Sequence, residues 1–192
     1  MRHSKNLAII PARRNSKRIP LKNIKNFCGR PIIEYVIETC LNSDIFGQVI
    51  VSTDCNEISA IAKNAGASVP FTRPENLSDD VAPTINVIQH AISYFKQKDV
   101  EFHSVCCVYA TAPFLTPEVL LQGLKKLCLH EHECNFVFAG GLYMSPVQRA
   151  VGEDGGMLFP EHKLTRSQDL KKYYYDAGQF YWGTSKAFET NS

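Results

Sequence analysis

The first 33 residues of this 192-residue chain contain no aspartate or glutamate, and the first carboxylate is Glu34. Nine of the 21 lysine and arginine residues lie in this acid-free part, whereas residues 34–192 hold 12 basic and 19 acidic side chains. The net charge of +2 is too small to favour nucleic acid or a membrane surface as a partner. The local excess of positive charge instead predicts an anion site near the N-terminus.

Long apolar runs and closely spaced cysteines are also missing. No run approaches the roughly 20 residues that span a bilayer, and no apolar signal segment follows Met1, so we expect a cytoplasmic protein. The seven cysteines include no C-x-x-C pair and lie mostly within apolar patterns, as Cys106 and Cys107 do. This favours reduced, buried thiols over a disulfide or zinc framework.

Apolar runs of strand length alternate with amphipathic stretches, which predicts one α/β domain over residues 1–192. Strands are predicted at 6–10, 48–52, 68–72, 104–110, 135–140, 148–151 and 179–182, and helices at 31–41, 56–64, 84–96 and 117–129. Glycines and prolines interrupt residues of about 140–178, which predicts an irregular, β-rich excursion for dimerisation or substrate contact. A plain β-meander packed on the sheet is the alternative.

The segment I-P-A-R-R-N-S-K-R-I-P-L-K-N (10–23) follows the first predicted strand, and residues 13–25 hold six basic side chains. Open α/β sheets bind ligands at this end of their strands. The segment lacks both the P-loop pattern and G-x-G-x-x-G, so it relies on side-chain charge. Arg13, Lys17 and Lys22, with the Ser16 hydroxyl, are candidate phosphate ligands. A solvated basic loop is the alternative interpretation.

The arrangement A-R-x-x-S-K-x-x-P-x-K-N in this segment resembles the nucleotide-binding signature of the acylneuraminate cytidylyltransferases, the CMP-sialic acid synthetases and their relatives. The resemblance continues through F-C-G-R-P-I-I-E-Y (27–35), V-I-V-S-T-D (49–54), R-P-E-N-L-S-D-D (73–80) and T-R-S-Q-D-L (165–170). The variants Y-A-T-A-P-F (109–114) and D-A-G-Q-F-Y-W (176–182) are most similar to the bacterial branch that activates pseudaminic acid.

The resemblance implies a three-layer α/β/α fold of the nucleotide-diphospho-sugar transferase type, with a mixed, mostly parallel sheet that is short at its C-terminal end. It also implies a homodimer that transfers CMP from CTP to a nine-carbon acidic sugar and releases pyrophosphate with the help of Mg²⁺. Pseudaminic acid is the favoured sugar, followed by N-acetylneuraminic or legionaminic acid.

The family's pattern also implies the site residues. Arg13 and Lys22 would act as catalytic cations within a nucleotide site of Ala12, Arg13, Ser16, Lys17, Lys22, Asn23, Arg73 and Asp80. The sugar site would contain Tyr109, Gln148, Arg166, Tyr175 and Phe180. Three alternatives stay open: a salt bridge of Arg73 with Glu75, a core position for the aromatic residues, and capping of the helix at Thr84 by Asp79 or Asp80.

Family members carry their metal-binding aspartates in an acidic segment after the strand that corresponds to residues 179–182. The printed sequence has no counterpart of that segment, so the metal ligands are unknown. Weak turnover with part of the nucleotide binding retained is therefore expected. The alternatives are a truncated, catalytically impaired nucleotide-binding homologue and a nucleotidyltransferase of the same fold that acts on another sugar.

Overall fold

The computed structural model describes residues 5–14, 16, 19–79 and 81–190. These residues form two compact units: the first comprises the chain up to Phe138 together with the residues from Gly178 onward, and the second is Ala139–Ala177. The boundary near residue 139 agrees with the predicted start, at about residue 140, of the irregular segment that is interrupted by glycines and prolines. The predicted role of the second unit in dimerisation stays a prediction.

The secondary-structure elements alternate as an α/β chain does. The strands are β1 (Asn6–Pro11), β2 (Asn26–Phe27), β3 (Arg30–Pro31), β4 (Gln48–Ser52), β5 (Ser104–Val108), β6 (Phe136–Leu142) and β7 (Tyr174–Thr184). The helices are α1 (Ile32–Asn42), α2 (Asn56–Asn64), α3 (Thr84–Lys96), α4 (Pro117–Leu129) and α5 (Ser185–Thr190). Among the described residues, no helix has the length and apolar character needed to cross a bilayer.

The main sheet has the strand order β4-β1-β5-β7-β6. Strand β1 pairs in parallel with β4 and β5, whereas β7 runs antiparallel to β5. Strands β2 and β3 form a separate two-stranded hairpin. The central strand β1 is buried along its length, because helices cover both faces of the sheet.

Side chains alternate between these two faces, as the period of a strand requires. Leu7 and Ile9 pack with Ile88 and Phe95 of α3 and with Phe188 of α5. Helices α1, α2 and α4 form the other layer, where the buried Trp182 of β7 donates a hydrogen bond from Nε1 to the Leu120 carbonyl, 3.1 Å away. The predicted three-layer α/β/α architecture with a mixed, mostly parallel sheet is confirmed.

Two predicted strands were wrong, and prolines explain both. Residues 68–72 make only isolated bridges to β4 and its extension, from Ser68 and Thr72. Pro70, between them, has no N–H to donate to a ladder. Residues 148–151 were predicted as a strand, but Val147–Arg149 form a 3₁₀ turn that follows Pro146. Helix α5, which follows β7 directly, was not predicted.

The cysteines are free thiols in the structure. Cys40, Cys106 and Cys107 are buried around the sheet, and burial raises the pKa values of the Cys40 and Cys107 thiols to about 12. Cys28 and Cys128 are exposed. The predicted burial is found for four of the seven thiols, because Cys134 is only half-buried as well. Their reduced state stays a prediction.

Candidate active site

A cleft of about 420 Å³ opens in the first unit, at the carboxyl ends of β1 and β5 and beside the N-terminus of α3. Crevices at this edge are the usual ligand sites of open α/β sheets. The walls combine charged, polar and apolar side chains from three parts of the chain: Pro11, Arg13, Ser16, Lys22, Asn23, Arg73, Leu77, Asp79, Ala82, Thr84, Val87, Tyr109, Ala110 and Thr111.

The basic loop after β1 is anchored through its backbone. The buried Ala12 donates its N–H to the Ser52 carbonyl at 2.9 Å, and the Arg14 N–H donates to Oδ1 of Asp54 at 3.1 Å. The amide nitrogen of Asn23 donates to the Arg13 carbonyl at 3.0 Å, and Asn23 itself is buried. These bonds hold the loop while its side chains line the cleft.

Three of the predicted phosphate ligands in this loop line the cleft: the cations Arg13 and Lys22, and the hydroxyl residue Ser16. The Arg13 guanidinium also donates to the Asp79 carbonyl across the cleft. Lys17 and Asp80, which the resemblance also placed in the nucleotide site, lie outside the described residues.

Arg73 is a buried cation at the floor of the cleft, with only 4% of its surface exposed. Its backbone N–H bonds the Thr53 carbonyl at 2.8 Å, and its Nη2 lies 3.9 Å from Oδ1 of Asp54. Burial lowers the pKa of Arg73, the nearby Arg13 adds to this, and Asp54 opposes it. Within the described residues, Nε and Nη2 have no hydrogen-bond partner. The ion-pair contact is thus with Asp54, and two of the guanidinium nitrogens are buried without a hydrogen-bond partner in the described part of the chain.

His90 of α3 belongs to the same polar region, although the sequence did not point to it. Its ring packs edge-on against Phe71 at 4.7 Å between ring centroids, and its Nδ1 is buried without a hydrogen-bond partner in the described part of the chain. Burial lowers the pKa of His90, and the charge of Arg73 lowers it further. His90 is therefore held in its neutral form next to a buried cation.

The N-terminal end of α3 forms the opposite wall through Ala82 and Thr84. Oδ1 of Asp79 accepts hydrogen bonds from the N–H groups of Val81 and Ala82, at 3.0 and 2.6 Å. Asp79 therefore shapes the turn before the helix, while the N-cap position is occupied by Pro83 without a side-chain cap. The first turn of α3 faces the cleft, and its positive end favours an anionic ligand. This wall was not predicted as part of the site.

On the predicted sugar side, Tyr109 lines the cleft and packs edge-on against Tyr181, with ring centroids 5.7 Å apart. Phe180 does not line the cleft. Its side chain is 3% exposed and packs against α4, where a Cβ at Gly123 would be 2.9 Å from its Cε2. The core position left open for Phe180 is the one the structure shows, because the register of β7 turns this side chain towards α4.

The other predicted sugar residues belong to the second unit. Arg166 is exposed, and its Nε bonds Oδ2 of Asp169 at 2.8 Å. Tyr175 is 47% exposed and packs edge-on against Tyr143. Gln148, in contrast, is buried, and its amide nitrogen donates to the Lys171 carbonyl at 2.9 Å. A buried amide that already bonds the backbone is poorly placed to bind a sugar directly.

The described residues do not form a magnesium site. No group of three histidine, cysteine, aspartate or glutamate side chains among them is arranged to hold a metal. Asp79 is the carboxylate in the cleft wall, and one of its oxygens accepts two backbone N–H groups.

Comparison with known proteins places this geometry in a family. The family model for cytidylyltransferases matches residues 7–190. Pseudaminic acid cytidylyltransferase of Campylobacter jejuni subsp. jejuni serotype O:2 is 47% identical over 188 residues, covering 96% of this chain and 80% of that protein. CMP-N,N'-diacetyllegionaminic acid synthase of Legionella pneumophila subsp. pneumophila is 32% identical over 197 residues, covering 96% of this chain and 80% of that protein.

A solved structure supports the fold. The structure of CMP:2-keto-3-deoxy-manno-octonic acid synthetase complexed with CTP superposes with a TM-score of 0.72 at 18% identity, covering 98% of this chain and 77% of that chain. The match to the family model and the 47% identical relative confirm the resemblance seen in the sequence. With a family match along nearly its whole length and a cationic cleft at the sheet edge, the chain belongs to the cytidylyltransferase family, and it is a nucleotidyltransferase enzyme.

Proposed function

We propose that the chain transfers CMP from CTP to a nine-carbon acidic sugar, with pseudaminic acid as the favoured acceptor and N-acetylneuraminic or legionaminic acid next. The observation that carries the proposal is the convergence of Arg13, Lys22 and Arg73 on one cleft of about 420 Å³. This volume lies within the usual range of small-molecule sites. The identity of 47% to a protein named pseudaminic acid cytidylyltransferase supports the choice of sugar.

In the proposed reaction, the oxygen of the sugar's anomeric hydroxyl attacks the α-phosphorus of CTP. A new P–O bond forms, and the bond between the α-phosphorus and its bridging oxygen to the β-phosphate breaks. Pyrophosphate leaves with that electron pair, and the hydroxyl proton passes to solvent. Arg13, Lys22 and the Ser16 hydroxyl would hold the phosphates and offset the negative charge that develops on the leaving group.

The base and ribose would lie deeper in the cleft, near Arg73 and Asn23. The guanidinium of Arg73 would turn from its buried position, where Nε and Nη2 have no partner, to donate to the two neighbouring acceptors of cytosine, its O2 and N3. Asn23 is fixed by its bond to the Arg13 carbonyl, so its carboxamide presents a defined edge to the ribose. The proposed sugar ligands are Tyr109, Arg166 and Tyr175, with Arg166 pairing with the sugar carboxylate.

Mg²⁺ is part of the proposal because of the family alone. When bound, it would neutralise charge on the triphosphate and polarise the phosphoryl group. Magnesium commonly needs few protein ligands when substrate phosphates provide the others. Removal of divalent ions with EDTA should stop turnover, and added Mg²⁺ should restore it; full activity in EDTA would contradict this requirement.

The use of CTP also supports a cytoplasmic location.

The central test is a pyrophosphate-release assay with CTP, Mg²⁺ and each candidate sugar in turn. We expect product with pseudaminic acid at the highest kcat/KM, and identification of the CMP-sugar by mass spectrometry. Calorimetric titration with CTP runs in parallel. If CTP binds and none of the nine-carbon acids gives product, the catalytic proposal fails and only nucleotide binding remains.

A homodimer completes the proposal. The second unit exposes a set of large apolar side chains, with exposed fractions of 94% for Met144, 92% for Leu164 and 62% for Leu158. Apolar surface of this kind often marks a protein interface. Sedimentation equilibrium should give twice the mass of the chain, and Leu164→Glu should weaken association. A monomeric mass for the unaltered protein at micromolar concentration would contradict the dimer.

A further inference from the structure

Arg166, the exposed arginine of the second unit, lies in segment 163–171, which has little regular secondary structure. Within residues 163–171, the described regular element is the short 3₁₀ turn Ser167–Asp169, which directly follows Arg166. The Asp169 N–H bonds the Arg166 carbonyl at 3.0 Å, and the Arg166 side chain bonds the Asp169 carboxylate. These contacts are local, so they fix the shape of the turn but not its place in the unit.

Two neighbouring side chains tie this segment to the rest of the second unit. Nη1 of Arg149 donates to the Lys163 carbonyl at 3.0 Å, and its Nη2 donates to the Thr165 carbonyl, immediately before Arg166. The amide nitrogen of Gln148 donates to the Lys171 carbonyl at 2.9 Å, after the turn. The segment is therefore held on both sides of Arg166, and every one of these bonds goes to its backbone.

Gln148 is buried, and its hydrogen bond to the Lys171 carbonyl explains why an amide side chain occupies this position. The residue is 3% exposed, and its Oε1 has no hydrogen-bond partner in the described part of the chain. A buried acceptor without a partner destabilises the fold, and an apolar side chain of similar size would avoid that cost. The amide nitrogen is the part of Gln148 that contributes, through the carbonyl of Lys171.

Arg149 suits its task for a related reason. A guanidinium carries its N–H donors in a rigid planar fork, so one side chain bonds two carbonyls that are two residues apart. A lysine ammonium carries the same charge but lacks the fork. The charge of Arg149 thus serves the backbone of the segment, while the exposed guanidinium of Arg166 stays at the surface with Asp169.

We propose that Gln148 and Arg149 are positioning residues that clamp segment 163–171 and so fix the place of Arg166, which meets the carboxylate of the acceptor sugar. This assignment rests on the proposed function for the role of Arg166. It replaces the direct sugar contact that the family pattern implied for Gln148.

The test combines hydrogen exchange with kinetics in the full-length chain. In Arg149→Lys and Gln148→Leu, we expect amides of peptides covering 163–171 to exchange at least tenfold faster. The KM for the acidic sugar should rise at least tenfold, while the dissociation constant of CTP changes less than twofold. Lys163→Ala is the matched control, because it removes a side chain of the segment and keeps the carbonyl that Arg149 binds. It should leave exchange and both constants unchanged.

The two readouts separate the possible failures. Unchanged exchange in both variants overturns the clamp, and a raised sugar KM with unchanged exchange would mean that Gln148 or Arg149 touches the sugar directly. Faster exchange in a protein whose unaltered form turns over no acidic sugar supports the clamp and overturns the proposed function. An unchanged circular dichroism spectrum and unchanged CTP affinity confirm that a variant has folded.

Discussion

Arg73 is a buried cation in the wall of the cleft, and the half-buried His90 is close enough for the charge of Arg73 to lower the histidine pKa. Arg73 keeps its charge because a guanidinium is protonated at any ordinary pH, even where burial lowers its pKa. The neutral His90 next to it adds no second charge, and neither side chain has its polar atoms fully bonded within the described chain. Donors left unpaired at the floor of a cleft gain most when a ligand supplies the acceptors.

Arg13→Ala should weaken CTP binding by about 10- to 100-fold, because charge-assisted hydrogen bonds contribute about 1.5–3 kcal/mol. Isothermal titration calorimetry measures the change directly. Arg14→Ala is the matched control: it removes the same charge one position along, where the residue is exposed and is not part of the cleft wall. Equal losses in both variants would show general attraction to a basic loop instead of a specific phosphate contact.

His90 should make the stability of the fold sensitive to mild acid. Its pKa is lowered in the folded chain, so as pH falls through about 6.5 the unfolded chain takes up the proton first. The free energy of unfolding should then decrease until the pH reaches the folded-state pKa of His90. Urea unfolding between pH 8 and 5 measures this slope. His90→Gln should reduce it, and an identical slope in the variant would contradict the assignment.

At the scale of elements, α4 and β7 pack so closely that a single methyl group is too large. A Cβ at Gly123 would lie 2.7 Å from Cδ1 of Trp182 and 2.9 Å from Cε2 of Phe180. Both rings are buried, so neither has room to withdraw. The close contact between helix and sheet therefore explains why residue 123 is a glycine, and its backbone conformation does not require one.

Gly123→Ala should destabilise the protein by about 1–2 kcal/mol. Overpacking costs about 1–3 kcal/mol, and the better helix propensity of alanine recovers up to about 1 kcal/mol. Gly140→Ala is a suitable control, since its Cβ would meet the nearest atom at an ordinary 3.6 Å. Thermal unfolding of the two variants compares them, and a stabilised Gly123→Ala variant would show that the layers separate easily.

Elements with strong local signals were predictable from the sequence. Helices α2, α3 and α4 begin and end at the residues predicted from the periodicity of the sequence. The cleft residues Arg13, Lys22, Asn23 and Arg73 were identified through the family pattern and line one cavity.

Side-chain direction was harder to predict, because it depends on contacts between distant segments. Phe180 points to α4 through the register of β7 with β5, which no local pattern specifies. Gln148 bonds a carbonyl 23 residues away, and His90 approaches Arg73 from another element. The spacing of residues along the sequence does not indicate any of these three arrangements.

For the whole molecule, the uneven distribution of charge links ligand binding to stability. CTP carries several negative charges, and the cleft proposed to bind it is walled by part of the acid-free N-terminal region. A ligand at 100 times its dissociation constant stabilises the folded state by about 2.7 kcal/mol. Thermal unfolding with saturating CTP should therefore show a higher Tm. Added salt should reduce the shift by screening. Arg13→Ala at the same CTP concentration should lower the stabilisation to about 0.4–1.4 kcal/mol, as a 10- to 100-fold weaker affinity requires.

The buried cysteines give the fold a chemical consequence. At neutral pH a thiol with a pKa of about 12 is thiolate in only about one molecule in 10⁵, and the thiolate is the nucleophile that reacts with peroxide and alkylating agents. Cys40 and Cys107 are shielded from solvent as well. Oxidation of these two thiols is thereby limited to moments when the fold opens around them, so the folded state protects them without any disulfide.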